Sequence, residues 1–369
     1  MIVMKFGGTS VESAAAIERV AAIVQARLDR RPIVVVSAMG RTTDKLLAIG
    51  GEAVRGRRNQ ALARVAELRE FHLREARPLV LPSDQSELDC VIEEHFRELV
   101  ELVQGLAVLG ELTPRSIDAI SSYGERLSSR IVALAFRQYG VESAHVDSRC
   151  LIVTDRRHTQ AAPLLCQTYA RLSAVLPELA RDKVVVMGGF IGASEDGVTT
   201  TLGRGGSDFT AALVGAGVDA EEIQIWTDVD GVLTCDPALF AGAHRVKTIS
   251  FAEAAELACF GAKVLHRHRA SGDGKEYPCG RLELAPPRRP RNADRVPNGA
   301  LCQRDQVRGL QTKHYGRQYP FDANVDGPRI SAPHLRDLRP LRDAGGHGGH
   351  LGGERVADDR QRQPSGRNL

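Results

Sequence analysis

Ile2-Val3-Met4-Lys5-Phe6-Gly7-Gly8-Thr9-Ser10-Val11 decides the fold. Five largely apolar residues end at a glycine pair, and helical periodicity follows over Ser13–Leu28 before a second apolar run, Pro32–Ser37. Strand, helix and strand in so short a span predict a βαβ unit, because two parallel strands can only be joined by a crossover. Lys5 falls at the end of the first strand, and the glycines open the turn into the helix. Backbone N–H groups there can approach a phosphate at a positively polarised helix start. An ordinary strand-to-helix turn is the alternative reading, since a lone glycine pair is not a GxxxxGK[ST] loop.

Working outward, the same alternation continues. A helix is expected over Gly124–Gln138, a strand at Ser143–Val146, a helix over 160–177 and a buried strand at Lys183–Met187. A Gly-rich turn at Thr200–Ser207, a helix at Asp208–Ala216, a strand at Glu222–Thr227 and a helix at Phe251–Cys259 follow. Residues 59–112 lack strand signals and carry a charged helical pattern, Arg64–Arg74 and Asp89–Leu106, which reads as a helical insertion or subdomain. The fold class is therefore α/β, a largely parallel open sheet with helices on both faces and its site at the carboxyl ends of the strands.

The chain has 369 residues and a net charge of +3, but the charge is unevenly spread. Residues 267–369 hold 20 Lys and Arg against 12 Asp and Glu, whereas residues 1–266 hold 29 against 34. The 103-residue tail has 14 Leu, Ile or Val and one Phe, below the roughly 20% at which a charged segment buries enough apolar surface to fold. The seven cysteines (90, 150, 166, 235, 259, 279 and 302) form no CxxC pair, which fits a reduced, cytoplasmic protein. No run approaches the ~20 apolar residues of a membrane span, so neither export nor a membrane is expected.

Three further segments carry chemistry. In Thr200-Thr201-Leu202-Gly203-Arg204-Gly205-Gly206-Ser207-Asp208, glycines permit an anion-cradling loop and Arg204 supplies a fork of donors. Ser207 and Asp208 stand at a helix start, where they could cap it or meet a ligand. Trp226-Thr227-Asp228-Val229-Asp230-Gly231-Val232 puts acidic and hydroxyl groups at a strand end; Asp228 is the candidate there, and Asp230-Gly231 also reads as a turn. Gly261-Ala262-Lys263 follows a helix, where a C-cap and dipole partner are the bland alternative, and Glu125 in Tyr123-Gly124-Glu125-Arg126 begins a helix.

In their order and identity these segments resemble the aspartate kinase branch of the amino acid kinase family. KFGGTSV, TTTLGRGGSD, WTDVDGV and FGAKVLH are the most specific, and the likeness covers nearly all of residues 2–266. It implies a three-layer αβα sandwich that transfers the γ-phosphoryl group of Mg-ATP to the β-carboxylate of L-aspartate, the first step toward lysine, threonine and methionine. Lys5 and Lys263 would neutralise phosphates, with Gly7 and Gly8 cradling the transferring group. Ser37, Thr43, Glu125, Arg204 and Ser207 would hold aspartate, Arg204 at a carboxylate and Glu125 at the ammonium. Asp208 would organise the lysines, making it and Lys5 the catalytic pair, while Thr227 and Asp228 would sit by the nucleotide. Magnesium would be held mainly through the phosphates, with no protein metal site, and a homo-oligomer is implied. Glutamate, acetylglutamate and uridylate kinases share the fold and are the alternatives, as is an inactive product. Leu233 and Ala238 depart from residues common in relatives.

The likeness stops at His266. Read from the second base of codon 267 with permitted third bases, residues 267–278 become ATVLPAMEKNIP, the family's next helix and strand entry. Residues 345–360 become VDMVATSEVSVSLTID in the same frame, which resembles an ACT regulatory domain. The expectation is a catalytic domain over 1–266 that lacks its last strand, followed by an out-of-frame tail without a native fold. A basic nucleic-acid-binding tail is the rival, but aromatic interleaving is missing and no nucleic-acid partner is expected.

Overall fold

The computed structural model describes residues 1–227, 233–235, 242–244, 246 and 281–285. Residues 286–369 lie outside the described residues. The expected helix at 251–259 and the rest of the tail except 281–285 also lie outside them.

The opening folds as expected: β1 (Ile2–Phe6), α1 (Ala14–Gln25) and β2 (Pro32–Val36), with β1 and β2 parallel from Ile2↔Pro32 to Phe6↔Val36. The Ser13 hydroxyl caps α1 by accepting from Ala16 N–H at 3.3 Å. Four helices follow: α2 (Thr42–Val54), α3 (Arg58–Ala76), α4 (Gln85–Leu109) and α5 (Pro114–Gln138). Then come β3 (Ser143–Val146), β4 (Val153–Thr154), α6 (Leu165–Leu179) and β5 (Val184–Gly188). The described elements end with β6 (Ile191–Ser194), β7 (Thr199–Thr201), α7 (Gly206–Gly217), β8 (Glu222–Trp226) and β9 (Arg281–Ala285).

Six parallel strands make the main sheet in the order β3-β5-β2-β1-β8-β9, and β4-β6-β7 form a small second sheet. Because successive side chains point to opposite faces, each central strand feeds two cores. Ile2, Met4, Phe6, Val34, Val36, Val186 and Trp226 pack under α1 to α5, while Val3, Ile33, Val35, Val185, Met187, Ile223 and Ile225 pack under α6 and α7. The result is the expected αβα sandwich. Residues 59–112 are largely helical, and Val65 and Leu68 of α3 and Ile92, Phe96 and Leu99 of α4 share the first core with the strands.

Several boundaries differ from the sequence reading. The helix expected from Gly124 begins at Pro114, where Thr113 accepts from Ser116 N–H and proline suits the first helical position. The helix expected over 160–177 begins only at Leu165. Residues 161–164 are held extended, Ala161 N–H donating to Thr201 O and Leu164 N–H to Val153 O. The edge of β8 is paired by β9, a segment of the tail, from Glu222↔Arg281 to Trp226↔Ala285. Backbone donors and acceptors on an open edge accept any extended segment regardless of its side chains.

Candidate active site

Register places the charged groups. Within β1, Lys5 has the parity of Val3 and so lies on the α7 side of the sheet, near the strand's carboxyl end. There its ammonium meets the Asp208 carboxylate of the first turn of α7, Nζ to Oδ1 at 2.7 Å. The Lys5 side chain is 12% exposed and that of Asp208 30%. The pair is therefore shielded yet open to a ligand.

Directly after β1 the glycine pair turns tightly. A Cβ at Gly8 would lie 2.8 Å from Gly40 O and 3.0 Å from Ala38 O, so a side chain there would strike backbone. A Cβ at Gly7 would lie 3.7 Å from Lys5 Nζ, in space that glycine leaves open beside the ammonium. Gly40 N–H donates to Gly8 O at 3.0 Å and Ser37 N–H to Phe6 O at 3.1 Å, locking the loops after β1 and β2 together.

Lys5, Ser37, Thr43, Glu125, Arg204, Ser207 and Asp208 line one pocket of about 250 Å³, together with Phe190, Gly203, Gly205 and Gly206. Every residue expected to hold the acceptor substrate is thus brought to one place, from the loop after β2, α2, α5, the glycine-rich loop and α7, beside Lys5 of β1. Ser37 Oγ donates to Ser207 Oγ at 3.0 Å across the floor. Of the nucleotide candidates, Gly7 and Gly8 adjoin Lys5, and Thr227 directly follows β8, whose Trp226 carbonyl accepts from Gly7 N–H. Asp228 and Lys263 lie outside the described residues.

Glu125 differs from its expected setting. It stands midway along α5, not in its first turn, and it is 4% exposed. Burial pushes its carboxyl up to about 8, relieved in part by hydrogen bonds from the backbone of Ala38 and of Glu125 itself. Its Oε2 is buried without a hydrogen-bond partner. An acceptor oxygen held at the wall of a polar pocket suits a cationic ligand group.

Phe190 was not expected. It follows β5, has φ +65° and borders the pocket, with its amide donating to Thr210 Oγ1 at 3.0 Å and its carbonyl accepting from Leu202 N–H at 2.9 Å. Gly188-Gly189 before it is the sequence signal of a sharp turn, but nothing there marks a non-glycine residue in the left-handed region.

The amino acid kinase family profile matches residues 1–269. The chain belongs to the amino acid kinase family. Among its relatives is aspartokinase 2, chloroplastic, of Arabidopsis thaliana, 40% identical over 269 residues that make up 72% of this chain and 48% of the relative. The lysine-sensitive aspartokinase 3 of Escherichia coli is 38% identical over 270 residues, 72% of this chain and 57% of the relative. The chain spans about half the length of the curated relatives it matches. The structure of E. coli aspartokinase III in complex with aspartate and ADP superposes with a TM-score of 0.65 at 31% identity, covering 78% of this chain and 62% of that one. As in other amino acid kinases the sheet is parallel and helix-covered, and no described helix is long and apolar enough to cross a membrane.

Proposed function

We propose that this amino acid kinase is an aspartate kinase: a β-carboxylate oxygen of L-aspartate attacks the γ-phosphorus of ATP, the bond to the β,γ-bridging oxygen breaks, and ADP and 4-phospho-L-aspartate leave. The observation that carries the reading is the convergence of Arg204, Glu125, Ser37, Thr43 and Ser207 on one small pocket beside the Lys5–Asp208 pair. A doubly anionic, singly cationic substrate needs cationic donors and one acidic acceptor, and this pocket has both. The aspartokinase relatives, one of them solved with aspartate and ADP, support the same substrates.

The chain's own groups divide the work. Arg204 offers paired donors to a carboxylate, and Glu125, buried and near neutrality, ionises as the substrate ammonium arrives. Lys5 stabilises negative charge building on the phosphoryl oxygens, and Asp208 fixes its ammonium in place. Gly7 keeps its backbone beside Lys5 Nζ free of a side chain, where a phosphate oxygen would meet the ammonium. Magnesium, held through the phosphates, would add charge neutralisation there. With no nucleophilic side chain required, catalysis rests on positioning and charge. The setting we infer is cytoplasmic amino-acid biosynthesis by a homo-oligomer.

ADP release coupled to hydroxamate trapping tests the reaction. Aspartate-dependent hydroxamate is expected; turnover of glutamate with none of aspartate would overturn the substrate.

We infer also that residues 267–369 are read out of frame, in place of the kinase carboxyl end and the start of a regulatory domain. Support comes from the family match, which stops at residue 269 although the relatives run about as far again. The coding DNA decides it. Read from the second base of codon 267 it should spell ATVLPAMEKNIP, and third bases that spell anything else would refute the reading.

A further inference from the structure

Asp118 is a charged side chain with no exposure, and it lies outside the pocket. It sits on α5 seven residues before Glu125, two helical turns away and so on nearly the same face. Its carboxylate is saturated with donors from two separate segments. Thr201 Oγ1 donates to Oδ1 at 2.6 Å, and Thr159 N–H donates to both oxygens at 2.9 and 3.1 Å. His158 Nδ1 lies 2.7 Å from Oδ2, protonated in the tautomer that faces a carboxylate.

Those two segments enclose the base of the glycine-rich loop. Thr201 ends β7, and Ala161 N–H donates to its carbonyl at 2.9 Å. Thr159 takes a left-handed backbone, φ +70°, that turns its amide toward Asp118. Gly203 packs against this turn: at φ +77° its Cβ would lie 3.2 Å from Thr159 O. Arg204 is the next residue. Asp118 therefore ties the start of the Arg204 loop to the helix that carries Glu125.

From this geometry we infer that Asp118 is a positioning residue that fixes the span between Arg204 and Glu125, and with it the length of amino acid the pocket accepts. The inference rests on the proposed roles of Arg204 and Glu125 in holding aspartate. Buried charge-assisted hydrogen bonds are short and directional, so a carboxylate binding three donors holds a loop more rigidly than an amide can. In Asp118→Asn one acceptor becomes a donor that faces donors, and the loop base loosens without an added cavity.

The test uses the full chain with Asp118→Asn, Thr201→Val and Thr201→Ser. For Asp118→Asn and Thr201→Val, KM for aspartate should rise at least ten-fold, KM for ATP should stay within two-fold, and the preference for aspartate over glutamate should narrow. Thr201→Ser, which keeps the hydroxyl, should restore parental values. Hydrogen exchange at residues 202–207 without ligand should quicken in the first two variants and not in the third. A parent inactive on aspartate would refute the substrate reading, and exchange would still judge the clamp on its own. Parental KM together with parental exchange at 202–207 in folded Asp118→Asn would overturn the inference. If that variant does not fold, parental values of both in Thr201→Val would overturn it equally.

Discussion

At the residue scale Lys5, Asp208 and Glu125 set the charge of the pocket. Lys5→Met removes the ammonium beside the open space at Gly7, and a lost preorganised contact of this kind typically lowers turnover by ~10²–10³. Asp208→Ala should fall in the same range with an unchanged melting profile, because the pair is partly exposed and stabilises charge in the site more than the fold. Near-parental kcat in either folded variant would remove that residue from the machinery. Glu125 gives a pH signature. Its carboxyl is raised from 4.5 to about 8 in the folded protein, so folding takes up a proton between those values. Its contribution is full below about 4.5 and is lost as pH rises through 8. Thermal melts of the ligand-free chain from pH 5 to 8.5 should therefore show the parent losing stability relative to Glu125→Gln. A constant difference between the two would contradict the buried neutral acid. Ser37, Thr43, Glu125, Arg204 and Ser207, which line the pocket, could be singled out in the sequence through motif order. Phe190 and Asp118 were not, since a left-handed phenylalanine and a buried aspartate show themselves only through their three-dimensional neighbours.

At the scale of elements, β1, α1, β2, β3 and β8 could be read closely because apolar runs and caps mark their ends. The helix α2 and the short strands β4, β6 and β7 were missed. The strands β6 and β7 are defined by pairing with each other, and the two-residue β4 gives too little period to read. Helices α3 and α4 bury two histidines that the mechanism does not use. Burial lowers His72 to about 4 and His95 to about 3. A depressed folded-state value in a base means that the stability is present above about 6.5 and is lost as pH falls through the folded values. His72→Leu should thus narrow the gap between urea midpoints measured at pH 7 and pH 4.5, and an unchanged gap would show that His72 does not drive acid unfolding. The pairing of β9 on β8 is open to the same kind of test. Amides of Arg281–Ala285 should exchange slowly and together with Glu222–Trp226, and paired proline substitutions at Leu282 and Glu283, adjacent positions of which one must face β8, should release them. Fast exchange at 281–285 in the parent would mean that β8 has no neighbour in solution.

At the scale of the whole molecule, one parallel sheet with two apolar faces sets Lys5, the glycine turn, α5 and the Arg204 loop around a single cavity at the carboxyl ends of its strands. Open parallel sheets bind ligands at this edge because loops and helix starts gather there. The fold class and the layer structure followed from the first 37 residues and their continuation. The spatial closeness of residues 37, 125 and 204–208 did not, for it depends on strand order, which no local pattern encodes. What the assembled site does is best settled by the bond it makes. Phosphorus-31 NMR of the full chain with Mg-ATP and L-aspartate should show an acyl-phosphate resonance growing in step with ADP, absent without aspartate and slowed by about 10²–10³ with Lys5→Met. ADP forming with inorganic phosphate alone, or an acyl phosphate appearing with glutamate and not with aspartate, would contradict the account.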